Sequence, residues 1–122
     1  FLEGAVTYSN AAKIRVLGVP APLIEAHGAV SAEVAAAMAG GMRAKTGADL
    51  AVSVTGIAGP GGSTAEKPVG LVFAALASAR GVQTERTVFF GRREQVRIQS
   101  AMKALDLVRV HLERPAAGKP GP

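Results

Sequence analysis

After the apolar run at residues 50–54 the chain reads Thr55-Gly56-Ile57-Ala58-Gly59-Pro60-Gly61-Gly62. The four glycines among residues 56–62 strip side chains from a loop that leaves a buried strand. Bare backbone N–H groups in such a turn can converge on an anion, either a phosphate or the oxyanion of an acyl-transfer reaction. A tight surface loop whose glycines only satisfy unusual backbone angles fits the same letters. No Gly-Lys-Ser/Thr follows, and G-x-G-x-x-G is absent in the required register, so neither common nucleotide-loop signature applies.

Lys13 is the second candidate. If Asn10 caps the first helix, Lys13 stands in its first turn, where the macrodipole disfavours a cation. A helix N-terminus and partial burial both lower a lysine pKa and leave a neutral amine able to take a proton from a serine hydroxyl. The plainer alternative is a solvated lysine on a frayed turn. No serine stands out as its nucleophile. Ser9 precedes it by four residues, which is not the S-x-x-K spacing, and reads as a cap. Ser31 also reads as a cap, Ser53 lies mid-strand, and Ser63 and Thr64 have no evident base.

Arg93 and Arg97 share a helix face and could hold a phosphate, or form an ordinary solvated face. Tyr8, the only tyrosine, either hydrogen-bonds a substrate or packs at a sheet edge. His27 and His111 are far apart without carboxylates patterned around them, so no metal site and no cofactor are expected.

These residues need elements to position them. Residues 1–8 (FLEGAVTY) read as a strand already under way, and Ser9 or Asn10 as the cap of a helix to about Leu17, ended by Gly18 and Pro20. A short helix at 22–26 closes at Gly28. Ser31 caps a longer helix with Val34, Ala35, Met38, Ala39 and Met42 on its apolar side, stopped by Gly47. Strands are expected at 49–55, 69–78 and 82–90, the last two forming a hairpin across Arg80-Gly81. A long helix follows from Arg92 to about Leu112, with an apolar line through Ile98, Ala101, Met102, Leu105, Val108 and Leu112. The order predicts a layered α/β/α domain over residues 1–113, with a mixed, partly parallel sheet including one antiparallel hairpin. Residues 114–122 (RPAAGKPGP) read as a disordered tail.

Composition narrows the class. The 122 residues suit one domain, 48% hydrophobic and 19% charged, with a core of Ala, Val, Leu and Ile because aromatics are only 4%. Cysteine is absent, which excludes disulfides and thiolate sites and fits a cytoplasmic protein. No apolar run is long enough for a membrane span. The net charge of +5 lies wholly in residues 80–122, nine basic against four acidic. Interleaved acids and the lack of stacking aromatics make nucleic acid an unfavoured partner, and a small anionic ligand explains the charge as well.

Taken together, residues 4–13 (GAVTYSNAAK), 17–19 (LGV), 27–31 (HGAVS), 54–62 (VTGIAGPGG), 66–70 (EKPVG) and 90–97 (FGRREQVR) closely resemble the CinA C-terminal domain, the nicotinamide mononucleotide deamidase family. The resemblance extends over nearly the whole chain up to the tail. It implies a metal-free Ser–Lys amidohydrolase that converts nicotinamide mononucleotide to nicotinic acid mononucleotide and ammonia. By position, Lys13 would be the base. Thr55, Gly56, Gly59, Gly61 and Gly62 would line the site and supply backbone donors, Tyr8 would line the pocket and Arg93 would meet the phosphate. The family also implies an earlier segment of the type A-E-S-C-T-G-G carrying the nucleophilic serine, which these residues lack, so the chain by itself is expected to be inactive. The alternative is a non-catalytic nucleotide- or phosphate-binding module of a competence or DNA-damage protein. The expected partners are a small nucleotide and a second copy in a homo-oligomer, with a further N-terminal domain of the parent protein left open.

Overall fold

The computed structural model describes residues 1–114. Three helices, α1 (Asn10–Leu17), α2 (Ala21–His27) and α3 (Ala32–Thr46), precede the strands β1 (Ala51–Gly56), β2 (Leu71–Ser78) and β3 (Gly81–Val88), and α4 (Arg93–Glu113) ends the described chain. Of the tail expected from Arg114, residues 115–122 lie outside the described residues.

The helix ends obey local chemistry. Ser9 caps α1 by accepting from the Ala12 amide at 3.0 Å, and Ser31 caps α3 by accepting from Val34 at 3.2 Å. Gly18 and Gly47 close α1 and α3 in the left-handed region, at φ 70° and 72°. At α4 the Arg92 amide donates to the Gln95 side-chain oxygen at 2.6 Å, the returning half of a capping box.

The sheet has the order β1-β2-β3 and is antiparallel at both junctions, with Ser53 opposite Ala75 and Ala75 opposite Thr84. Strand alternation then sorts the faces. On one, Ala35 and Ala39 of α3 lie directly on Ala75 and Ala77 of β2, a seam of four methyl groups. On the other, Leu107 of α4 packs with Ala74 and Leu76, flanked by Val52 and Val54. The α/β/α layering follows. A third cluster, Leu17, Val19, Ile24, Val34 and Met38, ties α1 and α2 to α3. There α1 comes so near α3 that a Cβ on Gly41 would overlap the Leu17 carbonyl.

Three expectations are corrected. The parallel pairing is not found among the described residues. Residues 1–8 form no strand: they bond to no neighbouring ladder, and only Thr7 among them is buried. A strand exists only where another edge accepts its backbone groups, and apolar letters alone cannot supply that edge. The third correction concerns α4. The face against the sheet is Val96, Ser100, Ala104 and Leu107, whereas Ile98, Met102, Leu105 and Leu112 of the expected line are 61–68% exposed. Small Ser100 and Ala104 let the helix axis approach the sheet, and the bulkier residues fall beside that contact.

Candidate active site

The cation at α1 is the central feature. With Ser9 as the cap, Lys13 is the fourth helical residue, and its side chain turns away from water to 6% exposure. Its Nζ donates to the Thr7 carbonyl at 2.6 Å. Among the described residues no carboxylate pairs with it. Desolvation without a counter-charge pushes the Lys13 pKa below its ordinary 10.5. The arrangement therefore favours a neutral amine more than bulk water does.

Lys13 borders a long open groove of about 1370 Å³ that also takes in Tyr8, Ser53, Thr55 and Gly56. Tyr8 is 85% exposed there and does not pack at a sheet edge. Thr55 is held by its hydroxyl, which donates to Ala29 O at 2.8 Å, fixing the end of β1 against the entry to α3.

Beyond Gly56 the chain makes a compact turn. Ile57 N donates to Leu71 O at 2.9 Å, and Gly70 N returns to Ile57 O at 2.7 Å. The Gly59-Pro60 peptide is cis, and Gly59 sits at φ 86°, where a side chain would also run into Val69. No acceptor among the described residues meets the amides of Ala58, Gly59, Gly61 and Gly62, so these donors remain available to an anion. Arg93 reaches back to this turn and donates to Gly59 O at 3.2 Å. Arg97 makes no hydrogen bond to it.

The predicted residues thus fall into two groups. Lys13, Tyr8, Thr55 and Gly56 share the groove, and Gly59, Gly61 and Gly62 lie in the turn beyond it, which Arg93 of α4 meets at Gly59 O. Two contributors carried no role in the sequence reading. Thr7 supplies the carbonyl that holds Lys13. Lys67 donates to His27 O at 2.6 Å and so fastens the glycine loop to the C-terminal end of α2. A lone lysine inside the loop (EKPVG) was the available signal.

Three of the candidate serines are otherwise occupied. Ser53 donates to Ala35 O at 2.6 Å, Ser31 to Gly28 O at 2.8 Å, and Ser9 is the cap of α1. Ser63 is exposed in the loop. None of the described serine side chains is hydrogen-bonded to the Lys13 amine, whose partner is the Thr7 carbonyl. Among the described residues no group of three His, Cys, Asp or Glu side chains is placed to hold a metal, and no helix is long and apolar enough to cross a membrane.

Residues 1–112 match the family model for the CinA C-terminal domain. The chain belongs to the CinA C-terminal domain family. A CinA-like protein of Geotalea daltonii is 60% identical over 112 residues, which is 92% of this chain and 27% of that protein. The chain therefore spans about a quarter of the length of the curated CinA-like relatives it matches. The crystal structure of the competence/damage inducible protein CihA from Agrobacterium tumefaciens superposes with a TM-score of 0.85 at 40% identity, covering 88% of this chain and 67% of that one. The competence damage-inducible protein A of Klebsiella pneumoniae gives a TM-score of 0.86 at 35% identity, covering 91% and 69%. The CinA-type α/β architecture is thus common to all three.

Proposed function

We propose that this CinA domain carries the base and the anion cradle of an amidohydrolase site that hydrolyses the carboxamide of nicotinamide mononucleotide to nicotinic acid mononucleotide and ammonia. The observation that carries the reading is Lys13: a buried amine with no counter-ion among the described residues, on the same groove as Thr55 and Gly56. The neutral Nζ takes the proton of a hydroxyl nucleophile, whose oxygen adds to the carboxamide carbon. The oxyanion so formed is received by the free amides of the glycine turn. As the C–N bond breaks, the same proton passes from Nζ to the departing ammonia, and water repeats the sequence on the acyl intermediate. Arg93 is the phosphate partner. The hydroxyl comes from outside residues 1–114, because no described serine is placed on Lys13.

The intact protein bearing this domain is expected to release ammonia from nicotinamide mononucleotide, and residues 1–122 alone to release none. Full activity of the isolated chain would refute the assignment of the nucleophile.

One observation favours a second reading, a nucleotide-binding module without catalysis: Ser9, Ser31 and Ser53 are all engaged in fixing the fold. Calorimetry with nicotinamide mononucleotide beside an ammonia assay on the intact protein separates the two. Binding without turnover would favour the module.

A further inference from the structure

Three consecutive carbonyls between α2 and α3 each receive a side-chain donor from a different part of the fold. His27 O accepts from Lys67 Nζ at 2.6 Å, Gly28 O from the Ser31 hydroxyl at 2.8 Å, and Ala29 O from the Thr55 hydroxyl at 2.8 Å. One short stretch of backbone therefore holds the glycine loop, the start of α3 and the end of β1. Ser31 and Thr55 are neutral and belong to helix cap and strand. Lys67 differs, because it is a cation on a loop that bonds the last carbonyl of α2, where the helix carries its partial negative charge. Gly28 leaves it the room, since a Cβ there would come within 2.8 Å of Nζ.

The loop depends on few such ties. At its base, Ile57 and Gly70 close it onto β2. At its outer end, Thr64 N donates to Lys67 O at 2.9 Å and Lys67 N to the Thr64 hydroxyl oxygen at 3.1 Å, a small closed turn. Among the described residues, the backbone of residues 58–63 between them has one hydrogen-bond partner, the Arg93 guanidinium on Gly59 O. The amides offered to an anion are thus slung between two fixed ends. Lys67 Nζ makes the hydrogen bond that ties the outer end to the helical layer. A donor stabilises an oxyanion only when it is already aimed at the place where charge develops.

We propose that Lys67 is a positioning residue of this site: its bond to His27 O fixes the outer end of the glycine loop and keeps the amides of Ala58, Gly59, Gly61 and Gly62 in the arrangement that receives the oxyanion. Lys67 acts through the loop and takes no part in the proton transfers. Its effect on turnover rests on the amidohydrolase reading, whereas its anchoring of the loop does not.

The test has two arms. In the 122-residue chain, amide relaxation by nuclear magnetic resonance is expected to show residues 58–66 loosened by Lys67→Met, with α3 and β1 unchanged. In the intact protein, Lys67→Met should lower kcat for nicotinamide mononucleotide by about 10²-fold with KM within a few-fold, and Lys67→Arg, which keeps a donor for His27 O, should recover kcat to within about tenfold of wild type. Lys103→Met, which removes a lysine paired with Glu85 away from the loop, should alter neither arm. A loop as ordered in Lys67→Met as in wild type would overturn the proposal. So would a loosened loop with kcat intact, a loss confined to KM, or no recovery in Lys67→Arg. If the wild-type intact protein releases no ammonia, the amidohydrolase reading falls by itself, and the relaxation arm alone then decides whether Lys67 holds the loop.

Discussion

The Nζ of Lys13 lies 2.6 Å from the carbonyl oxygen of Thr7, six residues before it in the chain. The contact closes the N-terminal segment over the start of α1 and withdraws an amine from solvent without giving it a carboxylate. Burial of the charge is unfavourable, and the deficit is carried by the packing around it.

This deficit has a pH signature. The folded-state pKa of Lys13 is lowered from 10.5, so between the lowered value and 10.5 the unfolded chain binds more protons at this site than the folded one. Stability contributed by Lys13 therefore rises as pH rises through that window and is absent below it. Urea unfolding of the wild type and of Lys13→Met across the alkaline range should show this rise in the first protein only. Parallel profiles would mean the amine is as solvated folded as unfolded.

In the intact protein, Lys13→Ala should lower the rate of ammonia release from nicotinamide mononucleotide by about 10²–10⁴, the usual contribution of a positioned acid–base group. Lys13→Arg should not rescue it, because a guanidinium stays protonated. Turnover within a few-fold of wild type would remove Lys13 from the chemistry.

Arg93 makes a different prediction. Loss of a charged hydrogen bond costs about 1.5–3 kcal/mol, so Arg93→Met should raise KM for nicotinamide mononucleotide by roughly tenfold or more. Nicotinamide riboside, which lacks the phosphate, should be affected much less. Equal losses on both substrates would instead assign Arg93 to holding Gly59 in place.

Gly41→Ala tests the packing of α1 on α3. The new methyl has no space beside the Leu17 carbonyl, and overpacking of this kind costs about 1–3 kcal/mol. The midpoint of urea unfolding should fall accordingly, although alanine is the better helix former.

Leu107→Ala should cost about 2–5 kcal/mol, because it removes the side chain that joins α4 to Ala74 and Leu76. Leu105→Ala, on the exposed face of the same helix, should cost little in the isolated chain. Similar losses at both positions would contradict the orientation of α4.

Much of this was legible beforehand. Ser9, Ser31, Gly18 and Gly47 mark helix ends by local hydrogen bonding and backbone freedom, which are written in short stretches of chain. Lys13 stood out because a cation in an opening turn conflicts with the local field. What was not legible depends on partners distant in sequence. Residues 1–8 have the apolar letters of a strand but pair with no edge of the described sheet. The apolar line of α4 was chosen by bulk, whereas contact with the sheet was decided by how closely Ser100 and Ala104 allow the helix to lie. The Lys67 contact with His27 O joins residues forty positions apart, and no periodicity encodes it.

The alanine seam between α3 and β2 has an evolutionary corollary. With Ala35, Ala39 and Ala75 at 0% exposure and Ala77 at 2%, each position can shrink to glycine but cannot grow without prising the helix from the strand. Since Ser53 is anchored to the Ala35 carbonyl in the first turn of that same helix and Thr55 to the Ala29 carbonyl in the segment that leads into it, any widening of the seam would shift the mouth of the glycine turn. Relatives that diversify their ligands are therefore expected to vary at the rim and to leave these methyl groups untouched.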